Sequence, residues 1–329
     1  MRRIVFHQNG FGDLLVCFKA LFAIKCLYPN DKLILAQNGF SDESFLQNIS
    51  FIDEIYTGGG GGGKDFENLK SDVFITNIRN SHFFKTLHKF QFKRIIAQPH
   101  LLSLLYHFDT PLPYRRTKLH MSEIALKLVR VIDKKHYDMN FSKINFKEVK
   151  NLLPSDDTLS EKFFNQNKQF SKIIALNIFG NQTENIGFNP LPRTWLNLSQ
   201  NLAKEHPEIL FVLVNFTHNT LQFNLREQAN LKVFINNNSI ASLVAFCKKL
   251  DGLISVDTGI VHLCDILQIP SLIFIPKHTF YRFSGGSYGG VCDKFSQENG
   301  YQKNYAKIMQ NFYEKANHFT TRIKNENAI

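Results

Sequence analysis

The sequence predicts an α/β protein built from two doubly wound lobes, and three observations carry that prediction. Short β-rich runs alternate with helical patterns along most of the chain, the pattern of parallel sheets joined by crossover helices. The alternation occurs twice, before and after a polar stretch from Asp133 to Asp157. The 329 residues also exceed what one core usually supports, at about 150 residues per domain. The domains expected are 1–156 and 157–329.

In the first lobe, Arg3 to His7 reads as a strand, Asp13 to Tyr28 as a helix and Lys32 to Gln37 as a strand. Ile52 to Thr57 and Asp72 to Ile78 read as further strands. The pattern then breaks in a Pro-rich stretch, Pro99 to Pro113, followed by Tyr114-Arg115-Arg116, which predicts a surface loop. His120 to Asp133 is a helical segment. The second lobe opens with strand Ile173 to Phe179, helix Arg193 to Glu205 and strand Ile209 to Phe216. Helix Asn219 to Gln228, strand Lys232 to Ile235, helix Ser239 to Leu250, strand Leu253 to Val256, helix Ile260 to Leu267 and strand Ser271 to Ile275 follow, the order of another doubly wound sheet. The polar tail from Tyr301 is helical in pattern and is expected to return to the seam between lobes.

Hydrophobic residues make up 43% of the chain, with 32 Phe, enough to fill two cores. Arg2 and Arg3 precede an apolar stretch, but Asp13, Lys19 and Lys25 interrupt it and no small-residue cleavage site follows, so no signal peptide is expected. No run of about 18 uncharged apolar residues predicts a spanning helix. Cys17, Cys26, Cys247, Cys264 and Cys292 form no close pairs and have no clustered His partner, which argues against a disulfide framework and a zinc site and suits a reducing cytoplasm. A net charge of +11 attracts something negative, whether nucleic acid, an anionic lipid face or a phosphorylated substrate. No basic run interleaved with aromatics accompanies it, so a nucleic-acid partner is not expected. Gly58 to Gly63 reads as a flexible insertion; a phosphate-cradling loop would carry other residues at set positions and open into a helix.

Three constellations bear on chemistry. Asn9-Gly10-Phe11-Gly12-Asp13 lies between a strand and a helix, at the carboxyl end of a strand where such folds bind ligands. Asp13 there is either a helix cap or a functional carboxylate. No G-x-G-x-x-G is present, which removes the main support for a nicotinamide dehydrogenase. Ser255-Val256-Asp257-Thr258-Gly259-Ile260-Val261-His262 repeats the strand-to-helix setting. Amides at its helix start suit a pyrophosphate, with Thr258 adding a hydroxyl; an Asp/Thr cap with a satisfied histidine is the plain reading. Asn177-Ile178-Phe179-Gly180 followed by Pro192-Arg193-Thr194-Trp195 sets a basic residue at a helix start, either to neutralise a diphosphate or as solvated surface charge.

Together these pieces resemble the bacterial heptosyltransferases of glycosyltransferase family 9 over almost the whole chain. The matching residues are Gly-Phe-Gly-Asp-Leu-Leu with the helix through Ala20-Leu21 to Tyr28-Pro29, the Asn177 to Trp195 segment, Asp257-Thr258-Gly259 with His262-Leu263, and Ile269-Pro270. The resemblance implies a GT-B fold of two Rossmann-like lobes facing across a cleft, with acceptor on the first and nucleotide-sugar on the second. It implies inverting transfer without a metal or other cofactor, general-base service from Asp13, and donor contacts from Asn177, Gly180, Arg193, Asp257, Thr258, Gly259 and His262. ADP-heptose and an acidic glycolipid of the lipopolysaccharide core are the substrates it implies, met in the cytoplasm at the inner-membrane face.

Gly12, Lys64, Arg79, Arg115 and Arg116 are the expected acceptor contacts, with Phe83, Phe84 and Tyr114 at the membrane surface. Two departures bear on the donor. The strand Ile209 to Phe216 is followed by Thr217-His218-Asn219-Thr220 with no carboxylate before Glu227, and the strand ending at Ile275 runs into Pro276-Lys277-His278 rather than a leading glycine. A UDP- or GDP-hexose donor, a nucleotide-sugar epimerase, and a non-catalytic nucleotide-sugar or anionic-surface binding protein remain alternatives.

Overall fold

The computed structural model describes residues 1–37, 42–57, 66, 69–90, 92–111, 119–180, 184–217, 219, 228–298 and 300–326. The chain divides into two compact units, Met1–Leu153 and Pro154–Ile329.

The first unit contains strands β1 (Arg3–His7), β2 (Lys32–Gln37), β3 (Glu54–Thr57), β4 (Val73–Thr76) and β5 (Ile95–Ala97). Its helices are α1 (Phe11–Leu27), α2 (Glu43–Gln47), α3 (Ser81–Leu87), α4 (Leu101–Leu105), α5 (Met121–Ile132) and α6 (Lys134–Asn140). The strands form one parallel sheet in the order β3-β2-β1-β4-β5. β1 is central, with Val5 paired to Ile34 on one side and Phe74 on the other. Such a sheet is covered on both faces, so its strands read as continuous apolar runs rather than alternating ones. α1 buries residues on most of its circumference, from Leu14 to Leu27, and packs against α5. A second cluster gathers Val5, Phe66, Phe74, Phe84, Leu87 and Phe108.

The second unit contains α7 (Thr158–Asn165), β6 (Lys172–Asn177), α8 (Pro192–Glu205), β7 (Ile209–Phe216), β8 (Leu231–Asn236) and α9 (Ile240–Cys247). β9 (Gly252–Val256), α10 (Gly259–Ile266), β10 (Ser271–Pro276), β11 (Cys292–Gln297) and α11 (Tyr305–Asn325) complete it. Its six parallel strands run β11-β10-β9-β6-β7-β8. Counted from each unit's first strand, the two sheets share the order 3-2-1-4-5, with a sixth strand added in the second.

α11 buries Met309, Phe312, Ala316, Phe319 and Ile323 in the second unit's core, where Phe312 meets Trp195 edge-on at 5.6 Å. Gly252 permits the approach: a Cβ there would lie 3.2 Å from the Phe319 ring. The helix expected between Asn219 and Gln228 lies mostly outside the described residues. Two strands the sequence did not suggest, β5 and β11, close sheet edges. Among the described residues no helix is long and apolar enough to cross a membrane.

Candidate functional site

In the first unit, chain connections leave β1 and β4 in opposite directions across the sheet, so a crevice opens beyond their carboxyl ends, the place where doubly wound sheets take ligands. Asn9-Gly10 and Asn77-Ile78-Arg79 lie there. Gly10 has φ +78° and starts α1 with no side-chain cap, a conformation that disfavours other residues. Asp13 is therefore not the N-cap. It is the third helical residue, half-buried, in the first turn at the helix's positive end. Gly12, beside it, is half-buried as well.

A floor of neutral polar groups underlies this loop. The Gln98 side-chain amide donates to Asn77 Oδ1 at 2.8 Å. Asn77 Nδ2 donates to Cys17 Sγ at 3.2 Å, the thiol points to Gln8 Oε1 at 3.7 Å, and Gln8 Nε2 donates to the Asn9 carbonyl at 3.1 Å. Burial raises the Cys17 thiol's pKa; the Asn77 bond opposes this and the negative charge of Asp13 adds to it, so the thiol stays protonated. His7 lies buried beside Phe83 (4.6 Å) and Phe66 (5.1 Å), with Nδ1 3.2 Å from Thr76 Oγ1. Burial pulls its pKa down to about 3 against a side-chain bond with Asn9, leaving a neutral imidazole. Sequence reasoning did not single out Gln8, Asn77, Gln98 or His7. They come from separate strand ends that only the sheet brings together.

Arg79 is exposed at the rim and has no ion pair among the described residues. Lys64, Arg115, Arg116 and Tyr114 lie outside the described residues. Two membrane-contact expectations are corrected: Phe84 is fully buried in the core, and Phe83 is half-buried with its ring tilted against His7 at 4.6 Å.

The second unit repeats the arrangement at the carboxyl ends of β6 and β9. Asn177 Nδ2 donates across to Ser255 Oγ at 3.0 Å and to the Phe179 carbonyl at 3.1 Å. Its Oδ1 is buried without a partner. Asn189 holds the Gly180 carbonyl at 3.0 Å, and its Oδ1 is also buried and unpartnered. Thr258 occupies the N-cap of α10 in extended conformation, with no side-chain cap bond, so its hydroxyl is not spent on the helix. The Thr279 hydroxyl reaches Asp257 Oδ2 at 3.4 Å and the Pro276 carbonyl at 3.0 Å. Gly259 opens α10, and His262 is buried one turn along.

Arg193 is the second residue of α8, exposed and without an ion pair among the described residues. Tyr305 fixes that helix start: its hydroxyl accepts from the Leu191 amide at 2.9 Å and donates to Thr194 Oγ1 at 2.7 Å. The seven described candidates in this unit thus fall on two strand-to-helix connections, β6 to α8 and β9 to α10, at one edge of the sheet. The glycine-rich stretch Gly285 to Gly290 does not join them. Asp265, near the far end of α10, holds it through the Ser287 amide at 2.9 Å, the Ser287 hydroxyl at 2.7 Å and the Tyr288 amide at 3.2 Å. That is the opposite sheet edge, so these glycines shape the turn into β11. Among the described residues no three His, Cys, Asp or Glu side chains converge as metal ligands.

Neither a protein-family model nor a curated relative matches the sequence. Solved structures do. Escherichia coli ADP-heptose lps heptosyltransferase II superposes with a TM-score of 0.64 at 13% identity, over 98% of this chain and 100% of that one. A family 9 glycosyl transferase from Veillonella parvula gives 0.62 at 12% identity, over 93% and 89%. E. coli heptosyltransferase WaaC with ADP-2-deoxy-2-fluoro heptose gives 0.59 at 14%, over 95% and 99%. What is shared at such identities is the fold, and the fold is GT-B.

Proposed function

We propose that this chain is an inverting glycosyltransferase of the heptosyltransferase type, moving a sugar from a nucleotide-sugar onto an acidic glycolipid. One observation carries the reading: the candidates chosen from sequence that lie among the described residues fall at the carboxyl-end crevices of both sheets, and no other edge of either sheet gathers them. The likeness to heptosyltransferases over nearly the full chain supports it.

The roles follow from position. Asp13, in the first turn of α1, takes the proton of the acceptor hydroxyl as its oxygen attacks the anomeric carbon. The bond from that carbon to the donor diphosphate breaks on the opposite face, which inverts the configuration. Arg193 and the free amides at the start of α10, with Thr258, receive the charge that develops on the departing diphosphate. These cationic and amide groups supply the stabilisation that a divalent ion supplies elsewhere, so the reading includes no metal. Asn177 Oδ1 and Asn189 Oδ1 are buried acceptors whose desolvation is uncompensated in the free protein, and donors on a bound nucleotide-sugar would offset that cost.

ADP-heptose is the first donor in this reading, supported by the likeness to an ADP-heptose transferase and to one holding an ADP-heptose analogue. The acceptor belongs on the first unit, at Gly12 and Arg79, in the lipopolysaccharide core or a related glycan. The deciding experiment is thermal unfolding of wild type and Asp257→Ala with ADP, GDP, UDP and CMP, since a ligand that binds only the folded state raises its stability. Stabilisation by ADP that is lost in the variant is the expected result. Preference for UDP or GDP moves the donor to a hexose, and indifference to every nucleotide overturns the proposal.

A further inference from the structure

Among the described residues of the first unit, the most exposed leucine and isoleucine side chains are not scattered. Leu101 (70% exposed), Leu104 (52%) and Leu105 (60%) share the outward face of α4, at the i, i+3, i+4 spacing that aligns side chains on a helix. The helix is firmly held. Ser103 on its inner face is fully buried, and His100 and Ser103 form a reciprocal capping box at its start. α3 lies alongside: Ser81 Oγ is 3.3 Å from His100 Nε2, Phe84 meets His100 edge-on at 5.5 Å, and His88 stacks on Tyr106 at 4.1 Å. α3 and the turn that follows it carry His82, Lys85, His88 and Lys89, all exposed. Lys85 and Lys89 have no ion pair among the described residues. Between Asp72 and Asp109 the sequence has no Asp or Glu at all, while Arg79, Lys85, Lys89, Lys93 and Arg94 fall in that span.

We propose that the outward face of α3 and α4 is a docking surface for an anionic lipid bilayer, with the leucines entering the acyl boundary and Lys85 and Lys89 meeting lipid phosphates. Three leucines alone would suit several partners. The flank, which carries Lys85 and Lys89 in a span without Asp or Glu, selects among them, because apolar insertion beside basic side chains is the combination that binds anionic membrane surfaces. A second copy of the chain is disfavoured by the same flank: a two-fold contact through this face would bring the lysines of both copies together. Both helices start at the carboxyl edge of the sheet, where Arg79 lies, so docking would hold that rim near the membrane. Only this link to a lipid-borne acceptor rests on the transferase reading.

The test is co-sedimentation with vesicles of phosphatidylglycerol and phosphatidylethanolamine, against vesicles of phosphatidylcholine alone. Wild type is expected to prefer the anionic vesicles by about tenfold or more, and the pairs Leu101→Ser with Leu105→Ser and Lys85→Glu with Lys89→Glu each to reduce binding about tenfold. All four positions are exposed, so melting temperatures should match wild type. As a check independent of those pairs, Leu104→Trp should shift its emission to the blue on anionic vesicles, because the only native tryptophan, Trp195, is fully buried. Equal binding to both vesicle types, no effect of either pair, or a dimer that Leu105→Ser dissolves would overturn the proposal. Vesicle binding without nucleotide stabilisation would leave docking standing and remove only the transferase reading; nucleotide stabilisation without vesicle binding does the reverse.

Discussion

The two units share a strand order and differ in almost everything set upon it. The first carries 22 Lys and Arg against 14 Asp and Glu, the second 17 against 14, so most of the chain's positive charge resides in one half. Their crevices differ in kind as well. Beneath Gly10, the side chains of Gln8, Cys17, Asn77 and Gln98 bond to one another in an unbroken relay. Beside Thr258, two buried amide oxygens end without a partner. Unpaired buried acceptors are uncommon and costly, whereas a closed relay adds rigidity. The contrast is one of degree, since His7 Nε2 and both side-chain polar atoms of Gln37 are also buried without a partner in the first unit; it teaches that one strand order can carry a linked polar floor in the more cationic unit and unlinked amide oxygens in the other.

Substitutions in each crevice can break that contrast. The largest effect is expected from Asp13→Asn, which should lower single-turnover transfer about 10³-fold while nucleotide-induced stabilisation stays as in wild type. If nucleotide binding vanished too, the two crevices would not be separate in function. A smaller effect belongs to the first unit alone. His7 is held neutral down to about pH 3, while an unfolded histidine takes a proton near 6.5. As pH falls below 6.5 the unfolded state binds that proton and the folded state does not, so stability declines by about 1.4 kcal/mol per pH unit. Urea unfolding at pH 6.5 and pH 5 should therefore show a loss of about 2 kcal/mol in wild type that His7→Leu lacks; identical pH dependence would mean that the imidazole is not sealed from water. The smallest is Thr258→Val, expected to reduce nucleotide stabilisation by about 1 kcal/mol with the melting temperature of the free protein unchanged, because the hydroxyl caps nothing. A drop in the free protein's own stability would show that the hydroxyl serves the fold instead.

Much of this was legible because parallel strands declare themselves. β1, β2 and β7 begin and end where the apolar runs Arg3 to His7, Lys32 to Gln37 and Ile209 to Phe216 predict. Glycine breaks at Gly10 and Gly259 mark where strands turn into helices, and the candidates beside them lie at the carboxyl edges of the sheets. The missed strands have plain reasons. β5 is three residues long, and β11 reads Cys-Asp-Lys-Phe-Ser-Gln, half-buried throughout at an edge, with no apolar run to announce it. α3 and α4 are short and merge with a Phe-rich, basic stretch. Pairings such as Asn177 with Ser255, or Asn77 with Gln98, were illegible because nothing local in either residue encodes the other. Phe84 was misread for the opposite reason: an aromatic in a basic segment resembles a surface anchor until the helix phase shows that it points inward.

The burial of α1 bears on how this protein could be re-engineered. From Leu14 to Leu27 it is packed against neighbours on most sides, so the element that carries Asp13 offers few positions where a library of substitutions would leave folded clones. If the acceptor binds where we propose, variation aimed at a new one is better placed at exposed rim positions such as Arg79, where a change leaves the core untouched. A selection scheme that fixes α1 and randomises the rim would search specificity without repeatedly discarding the scaffold.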